Sequence, residues 1–340
     1  MAPEKIPVSL ITGFLGSGKT TLLNALLRHP GMDETAVVVN EFGEIGIDHL
    51  LIETALDDAV LLKSGCVCCT MRGDLVDTLA SLLERRGRGE SPPFRRVVIE
   101  TTGLADPAPV LHTLAADPET TRGYRLEHVL ATVDAVNALD QLARHYESAK
   151  QAALADRLVL TKTDLASPQQ ADHVTARLAA LNPTAPVVRA IDGDADPRLL
   201  FAPASVAERA APAEVEAWLA AAGLRSHAHE ADGSDHCHGI VSFCLVHDRP
   251  IAWPALKAWL EALASLRGSN LLRLKGIVDV AGWAGPVAIH AVQHILHPPR
   301  ELARWPGQDR RSRVVCIVRD LPRAALERSF AALTADLRAP

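Results

Sequence analysis

The feature that most constrains this chain is a glycine-rich run at positions 13–20, Gly-Phe-Leu-Gly-Ser-Gly-Lys-Thr. Its spacing is that of a phosphate-binding loop, or P-loop, in which backbone N–H groups surround phosphate oxygens. An apolar run precedes it at 7–12, and a segment with helical periodicity follows at 20–28. This is the strand, loop and helix context that the motif requires. The sequence therefore predicts a nucleotide-binding domain of the P-loop type.

Two side chains of the loop have predicted roles at the phosphates. The Lys19 ammonium reaches the β- and γ-phosphate oxygens, and the Thr20 hydroxyl ligates Mg²⁺. The other nucleotide contacts predicted in this region are Gly13, Gly16, Ser17, Gly18 and Thr21.

Beyond the loop, short apolar runs alternate with helical segments. The strand-like runs occupy 35–39, 59–62, 96–99, 128–133 and 157–160. This alternation predicts an α/β fold, in which helices cover a largely parallel sheet and ligands bind at the carboxyl ends of the strands.

The run Glu-Thr-Thr-Gly at 100–103 directly follows one of these strands. Glu100 at the strand end can hold Mg²⁺ through water, and Gly103 lets a backbone N–H approach the γ-phosphate. We therefore take Lys19 and Glu100 as the candidate catalytic residues. The structural alternative is a carboxylate that only caps the next helix.

The run Thr-Lys-Thr-Asp at 161–164 ends the last of these strands, where guanine-specific P-loop proteins usually carry Asn-Lys-x-Asp. Asp164 can accept hydrogen bonds from the N1–H and the amine of guanine, a pair that adenine does not offer. The Thr161 hydroxyl offers less than an asparagine amide for contacting the base and neighbouring loops. Thr161, Lys162 and Asp164 are the predicted base-binding residues, and GTP is the predicted nucleotide.

Three of the six cysteines lie within four positions, at Cys66, Cys68 and Cys69. Three thiolates would bind Zn²⁺ and leave a fourth position for water or a ligand from another protein, which suits metal transfer. The N-terminus of the helix predicted at 71–85 favours the thiolate form. Buried structural cysteines and a redox-active pair are the alternatives. Glu44, in the acidic segment before the cysteines, is a further candidate ligand.

The segment 227–238 is rich in histidine and acidic residues. Such a segment is suited to capture of Zn²⁺, Co²⁺ or Ni²⁺, although its irregular spacing argues against one fixed tetrahedral site. A polar linker without metal is the alternative. The candidate ligands are His227, His229, His236 and His238.

The carboxy-terminal region is predicted to be a smaller α+β domain. Strand-like runs lie at 240–246, 271–280, 287–294 and 313–318, and helical patterns at 253–266 and 322–333. Cys244 and Cys316 fall within apolar strand patterns, so they are expected in the core. The predicted domains are a P-loop domain at 1–205, a linker at 206–238 and the α+β domain at 239–340.

Composition excludes several classes of protein. The 340 residues carry a net charge of −6, so a nucleic-acid partner is not expected. The short basic run at 85–88 is interpreted as a solvated loop. No apolar stretch approaches the roughly 20 residues of a membrane helix, and six cysteines are too few for a disulfide scaffold. The chain is expected to be cytoplasmic.

The five motifs, in this order, resemble those of the CobW-like metallochaperone GTPases; the segments that carry the resemblance are 13–20, 40–44, 65–69, 100–107 and 161–164. The resemblance covers the amino-terminal domain and, more weakly, the carboxy-terminal region. It is more distant to the nickel-insertion GTPases of urease and hydrogenase. It implies a GTPase of low intrinsic rate that uses GTP and Mg²⁺, binds Zn²⁺ or a related divalent metal, and delivers it to a client metalloprotein. The oligomeric state is left open.

Metal binding is expected to depend on the nucleotide. If the γ-phosphate orders segments 40–48 and 103–107, the cysteine loop between them in sequence changes geometry. Two other functions fit the same residues: a P-loop kinase or ATPase with structural cysteines, and a zinc-sensing module in which hydrolysis only resets the state. Asp164 and the Glu100 motif argue against the first.

Overall fold

The computed structural model describes residues 5–39, 71–201, 237–305 and 309–335. Two compact units are present. The first contains the chain to Ala202 apart from Ala179–Thr184, and the second contains Ala179–Thr184 and the chain from Pro203 onward.

The first unit is built on a parallel six-stranded sheet with the order β2-β3-β1-β4-β5-β6. Its strands are β1 (Ile6–Gly13), β2 (Thr35–Val39), β3 (Arg96–Glu100), β4 (Tyr124–Asp134), β5 (Arg157–Thr161) and β6 (Val187–Arg189). Strands β1 and β5 are mostly apolar and nearly fully buried, and β4 is buried from His128 to Asp134, as expected for a parallel sheet covered on both faces. The predicted α/β fold is confirmed, whereas the strand predicted at 59–62 lies outside the described residues.

Helices connect the strands. They are α1 (Lys19–Leu27), α2 (Met71–Arg88), α3 (Pro107–Ala116), α4 (Pro118–Gly123), α5 (Ala138–Arg144), α6 (Tyr146–Leu154), α7 (Pro168–Leu181) and α8 (Pro197–Leu200), with a 3-10 turn at Pro30–Met32. Helices α3 and α4 each start with an aspartate cap followed by proline. The Asp106 carboxylate accepts a hydrogen bond from the N–H of Ala108, which satisfies a donor that the helix itself leaves unpaired.

The basic run at 85–88 does not form the loop predicted from its composition. Helix α2 continues to Arg88 and carries these arginines in its last turn. Positive side chains are favourable there because the C-terminus of a helix has partial negative charge. Arg86 lies over the ring of Phe94 at 5.3 Å, and Arg88 pairs with Glu84.

The second unit contains an antiparallel sheet with the order β10-β9-β8-β12-β7, with β11 paired to β9. Its elements are β7 (Ile240–His247), α9 (Trp253–Arg267), β8 (Leu271–Val278), β9 (Val287–Val292), β10 (Ile295–Leu296), β11 (Arg300–Glu301), β12 (Ser312–Arg319) and α10 (Arg323–Ala335). Trp259 of α9 and Phe330 of α10 pack into one core with strand residues that include Cys316. Cys244 is also buried, against Val315. Both cysteines are therefore core residues, as predicted. Burial raises the pKa of the Cys244 thiol to about 11.

None of the helices in the described ranges has the length and apolar content needed to cross a bilayer.

Candidate nucleotide-binding site

The predicted site residues lie at or just after the carboxyl ends of strands β1, β3 and β5. Gly13 ends β1, Glu100 ends β3, and Thr161 ends β5. Strands β3, β1, β4 and β5 are neighbours in the sheet. Because parallel strands end at the same edge, the sheet brings together motifs that are far apart in the sequence.

The P-loop leaves β1 through a tightly packed glycine. Gly13 has a φ of 146°, and a Cβ atom at this position would overlap the side chain and carbonyl of Thr132 on β4. The Ser17 hydroxyl lies 2.6 Å from the Thr132 hydroxyl. The loop is therefore fixed against β4, and no larger residue fits at Gly13.

Helix α1 begins at the end of this loop with its N-terminus available for an anion. Gly18 caps the helix with a φ of 87°, no side chain of the described residues caps its N–H groups, and its first turn contains no acidic residue. The N–H groups of a first helical turn and the positive end of the helix dipole favour a phosphate group at this position.

Lys19 points back over the loop. Its ammonium donates hydrogen bonds to the carbonyls of Gly13 and Phe14, at 3.1 and 3.2 Å. The side chain is 9% exposed. These carbonyls hold the ammonium at the loop, where the motif requires it.

Thr20 and Glu100 meet across the site. The Thr20 hydroxyl donates to the Glu100 carboxylate at 2.8 Å, although the two residues are 80 positions apart. Glu100 is 5% exposed and lies beside Ile11 of β1 and Val39 of β2. A hydroxyl and a carboxylate are oxygen ligands of the kind that Mg²⁺ prefers, so the pair fits the predicted metal position.

Gly103 lies against the backbone of the P-loop. A Cβ atom on Gly103 would lie 2.7 Å from the backbone nitrogen of Leu15. Only glycine permits this approach. The turn after β3 therefore lies directly beside the phosphate-binding loop.

Two hydrogen bonds connect the Thr-Lys-Thr-Asp segment to the P-loop. The Thr161 hydroxyl donates to the carbonyl of Ser17 at 2.7 Å, and the Lys162 ammonium donates to the carbonyl of Gly16 at 2.7 Å. Thr161 thus contacts a neighbouring loop through its hydroxyl, although a hydroxyl offers less than an asparagine amide for such a contact. Thr161 is 4% exposed, and its single hydroxyl hydrogen is shared with the carbonyl of Val133 at 3.2 Å.

Asp134, at the end of β4, positions Lys162. Its carboxylate accepts a hydrogen bond from the Lys162 ammonium at 2.8 Å, and others from Asn137 and from the N–H of Val136. Burial alone would raise the pKa of this carboxyl, but the hydrogen bonds from Lys162, Asn137 and Val136 outweigh it and hold the pKa below its usual value. Asp134 is therefore an ionised, buried partner for Lys162.

The remaining nucleotide candidates are solvent-accessible. Asp164 is exposed, as a base-recognising carboxylate must be before its ligand binds, and Thr21 is exposed at the third position of α1. Their roles stay predictions.

Most of the predicted zinc ligands lie outside the described residues: Glu44, Cys66, Cys68, Cys69, His227, His229 and His236. His238 is described and lies in the turn before β7, with a φ of 55°. Within the described ranges, no group of three or more histidine, cysteine or acidic side chains is placed to hold a metal ion.

The sequence analysis missed Thr132, Asp134 and Gln151. Thr132 and Asp134 lie at the end of β4, the strand between β1 and β5, so the rule that identified Glu100 would have found them. Gln151 lies in a helix, and its amide donates to the carbonyls of Gly103 and Ala105. No sequence signal marks that contact.

Comparison with known proteins places the chain in a family. Residues 7–189 match the model for the CobW/HypB/UreG nucleotide-binding domain, and residues 240–334 match the cobalamin synthesis protein CobW C-terminal domain.

Individual relatives match over nearly the whole chain. The zinc chaperone YjiA of Escherichia coli is 33% identical over 96% of this chain and 98% of its own. The zinc chaperone CobW of a Sinorhizobium species is 30% identical over 97% of each chain. The crystal structure of the Zn(II)-bound YjiA GTPase from E. coli superposes with a TM-score of 0.73 at 28% identity, covering 97% of this chain and 99% of that one. By its motifs, fold and relatives, the chain belongs to the CobW family of P-loop GTPases.

Proposed function

We propose that this protein is a GTP-hydrolysing metallochaperone that binds zinc and delivers it to a client metalloprotein in the cytoplasm. The observation that carries the nucleotide part is the contact between Thr20 and Glu100 at 2.8 Å. It joins the P-loop and the strand that bears the candidate catalytic carboxylate into one oxygen-lined site.

In this proposal each side chain has a defined task at the phosphates. Lys19 exchanges its carbonyl partners for β- and γ-phosphate oxygens, and Thr20 and Glu100 hold Mg²⁺ directly and through water. Mg²⁺, when bound, would neutralise charge that develops on the phosphate oxygens. Gly103 contributes a backbone N–H from a turn that lies against the P-loop.

Guanine recognition is assigned to the segment that Thr161 and Lys162 attach to the P-loop. The exposed Asp164 carboxylate would accept two hydrogen bonds from the guanine edge. Asp134, whose side chain is buried, keeps Lys162 in place through an ion pair. The residues that bind the base and those that bind the phosphates would thereby be joined by hydrogen bonds.

Zinc is assigned to Cys66, Cys68 and Cys69, with Glu44 and the segment 227–238 as further donors. Thiolates suit Zn²⁺, and an incomplete set of protein ligands suits transfer. Two relatives that match nearly the whole chain are named zinc chaperones, which supports zinc as the cargo. Co²⁺ and Ni²⁺ are the competing ions.

The proposal is tested by measuring Zn²⁺ affinity with a chromophoric chelator, in Mg²⁺ with GDP and in Mg²⁺ with a non-hydrolysable GTP analogue. We expect a difference of about tenfold, or about 1.4 kcal/mol of coupling. Equal affinities would overturn nucleotide-gated zinc binding. Preferred turnover of ATP over GTP would instead support the kinase or ATPase alternative.

Delivery requires a second measurement. Zinc-loaded protein is mixed with a zinc-free client candidate, and transfer is followed with GTP, with GDP and with the analogue. The proposal expects transfer to depend on the nucleotide. Transfer at one rate in all three states would favour the zinc-sensing alternative.

A further inference from the structure

Helix α6 and the residue before it contact both the P-loop and the turn at Gly103. His145, directly before the helix, stacks on Phe14 of the P-loop with ring centroids 4.6 Å apart. Gln151, two turns later, contacts the turn at Gly103. Seven of the nine helix residues, Ser148 to Leu154, are buried, so the helix is a firmly packed support for the site.

Gln151 binds the turn through both hydrogens of its amide. Nε2 donates to the carbonyl of Gly103 at 3.2 Å and to the carbonyl of Ala105 at 3.0 Å. Carbonyl oxygens only accept, so this contact fixes the orientation of the amide. Gln151 is 1% exposed, and its Oε1 has no hydrogen-bond partner in the described part of the chain. All hydrogen bonding by this buried amide is therefore directed at the turn.

These bonds determine where the N–H groups of the turn point. The carbonyl of Thr102 accepts the N–H of Ala105 at 3.2 Å, which closes the turn. In a trans peptide the carbonyl and the following N–H point in opposite directions. The N–H of Gly103 thus points away from the inside of the turn, and the N–H of Leu104 points away from Gln151.

The preceding residue of α6, Lys150, provides a second attachment. The Lys150 ammonium pairs with the Asp106 carboxylate at 2.6 Å, and the Lys150 side chain is 11% exposed. Asp106 also caps helix α3. The turn is consequently fixed to α6 at Gly103, Ala105 and Asp106.

We infer that Gln151 is a positioning residue of the GTPase site, with the Lys150–Asp106 pair as its auxiliary. It holds the turn at 103–105 in the arrangement that presents the Gly103 N–H to the γ-phosphate. This inference rests on the proposed GTPase function. Since only GTP carries the γ-phosphate, Gln151 contributes to binding and turnover of GTP and not to binding of GDP.

The test replaces Gln151 by methionine, which has similar length and no donor. The Gly103 and Ala105 carbonyls then lose their partner, and we expect kcat and the affinity for a non-hydrolysable GTP analogue each to fall about tenfold. GDP affinity stays at the wild-type value. A general structural defect would lower GDP affinity as well. A change in the ratio of GTP-analogue affinity to GDP affinity is therefore specific to a positioning role.

Three further variants sharpen the result. Gln151→Glu retains the shape but loses both donors when ionised, so it is expected to be at least as defective as Gln151→Met. Lys150→Met removes the ion pair with Asp106 and the contact of the ammonium with the Tyr146 ring but leaves the Gln151 hydrogen bonds in place, so a smaller shift of the affinity ratio in the same direction is expected. Gln169→Met removes an amide from an exposed position of α7 and should match the wild type in every measurement.

The possible results separate this inference from the proposed function. Absence of GTP turnover in the wild type would refute the GTPase proposal, while the affinity ratio would still test the role of Gln151. A folded Gln151→Met protein with wild-type kcat and a wild-type affinity ratio overturns the inference. If circular dichroism shows that Gln151→Met is unfolded, Lys150→Met decides, and a wild-type ratio in that variant overturns it.

Discussion

The hydroxyl of Thr161 donates a hydrogen bond to the carbonyl of Ser17 across a distance of 2.7 Å. One residue ends strand β5 and the other lies in the P-loop, 144 positions earlier. Gly18, the next loop residue, also lies close to Thr161: a Cβ atom built on Gly18 would be 3.5 Å from the Thr161 methyl group. The segment proposed to bind the base is therefore part of the support of the phosphate loop.

Thr161→Val tests this connection because valine has the same shape and no hydroxyl. The buried carbonyls of Ser17 and Val133 lose a donor, so we expect a loss of about 1–3 kcal/mol in the free energy of unfolding. GTP and GDP affinities should fall together, because both nucleotides use the loop. Denaturant unfolding and nucleotide titration measure these effects; wild-type values in both would show that the hydrogen bond is dispensable.

Glu100→Gln keeps the size of the side chain and removes its charge. The amide is a poorer partner for Mg²⁺ than a carboxylate, so GTP turnover is expected to fall at least about tenfold and to require more Mg²⁺. Nucleotide affinity without Mg²⁺ should change little. A Mg²⁺ titration of turnover provides the measurement. An unchanged Mg²⁺ requirement would indicate that Glu100 has only a structural role.

Asp164→Asn exchanges an acceptor for an amide that can also donate. Guanine offers donors at N1 and at its exocyclic amine, whereas xanthine has a carbonyl in place of the amine. We expect weaker GTP binding and stronger XTP binding, with ATP binding unchanged. Competition among the three nucleotides measures this, and the same preference for GTP in the variant would locate base recognition elsewhere.

Lys19→Ala and Cys68→Ser should affect different ligands. Loss of the Lys19 ammonium removes a phosphate contact, so nucleotide binding is lost while zinc binding to the nucleotide-free protein is retained. Loss of the Cys68 thiolate weakens zinc binding and spares nucleotide affinity in metal-free buffer. Titration of each variant with both ligands is the measurement. Intact GTP turnover in Lys19→Ala would show that the phosphate assignment is wrong.

His128 predicts a pH dependence of stability. It is fully buried in β4, and burial lowers its pKa below 6.5 against the opposing effects of nearby Asp156 and Glu127. The unfolded chain therefore binds a proton at a higher pH than the folded chain does. The stability contributed by neutral His128 is complete above the unfolded pKa of about 6.5 and is lost as pH falls towards the folded pKa.

His128→Gln removes this titration, so its melting temperature should fall less steeply than that of the wild type between about pH 7.5 and pH 5.5. The comparison uses the slope with pH, because the substitution also changes the stability itself by removing the contact with the carbonyl of Phe201. Parallel slopes in thermal melts would show that His128 does not titrate differently in the two states.

The elements of both units follow closely from local sequence patterns. Strand β2 has the predicted bounds, and helix α1 differs from its predicted range by one residue at each end. Helix α1 begins directly after Gly18 and ends before Pro30, and β2 is a continuous run of β-branched and apolar residues, so local signals are enough to place both. The prediction of a loop at 85–88 was wrong because it rested on the arginine and glycine composition alone. Helix α2 continues through these residues, and its basic last turn stabilises it.

The sequence by itself determined the phosphate-binding loop, the order of the strands along the chain and the carboxylate at the end of β3, because each depends on local spacing and periodicity. Only the tertiary structure decided that Thr20 meets Glu100, that Asp134 holds Lys162, and that Gln151 supports the turn at Gly103. The members of these three pairs are separated by 80, 28 and 48 positions. They meet because parallel strands end at one edge of the sheet and helix α6 packs beside that edge, and no local pattern specifies this arrangement.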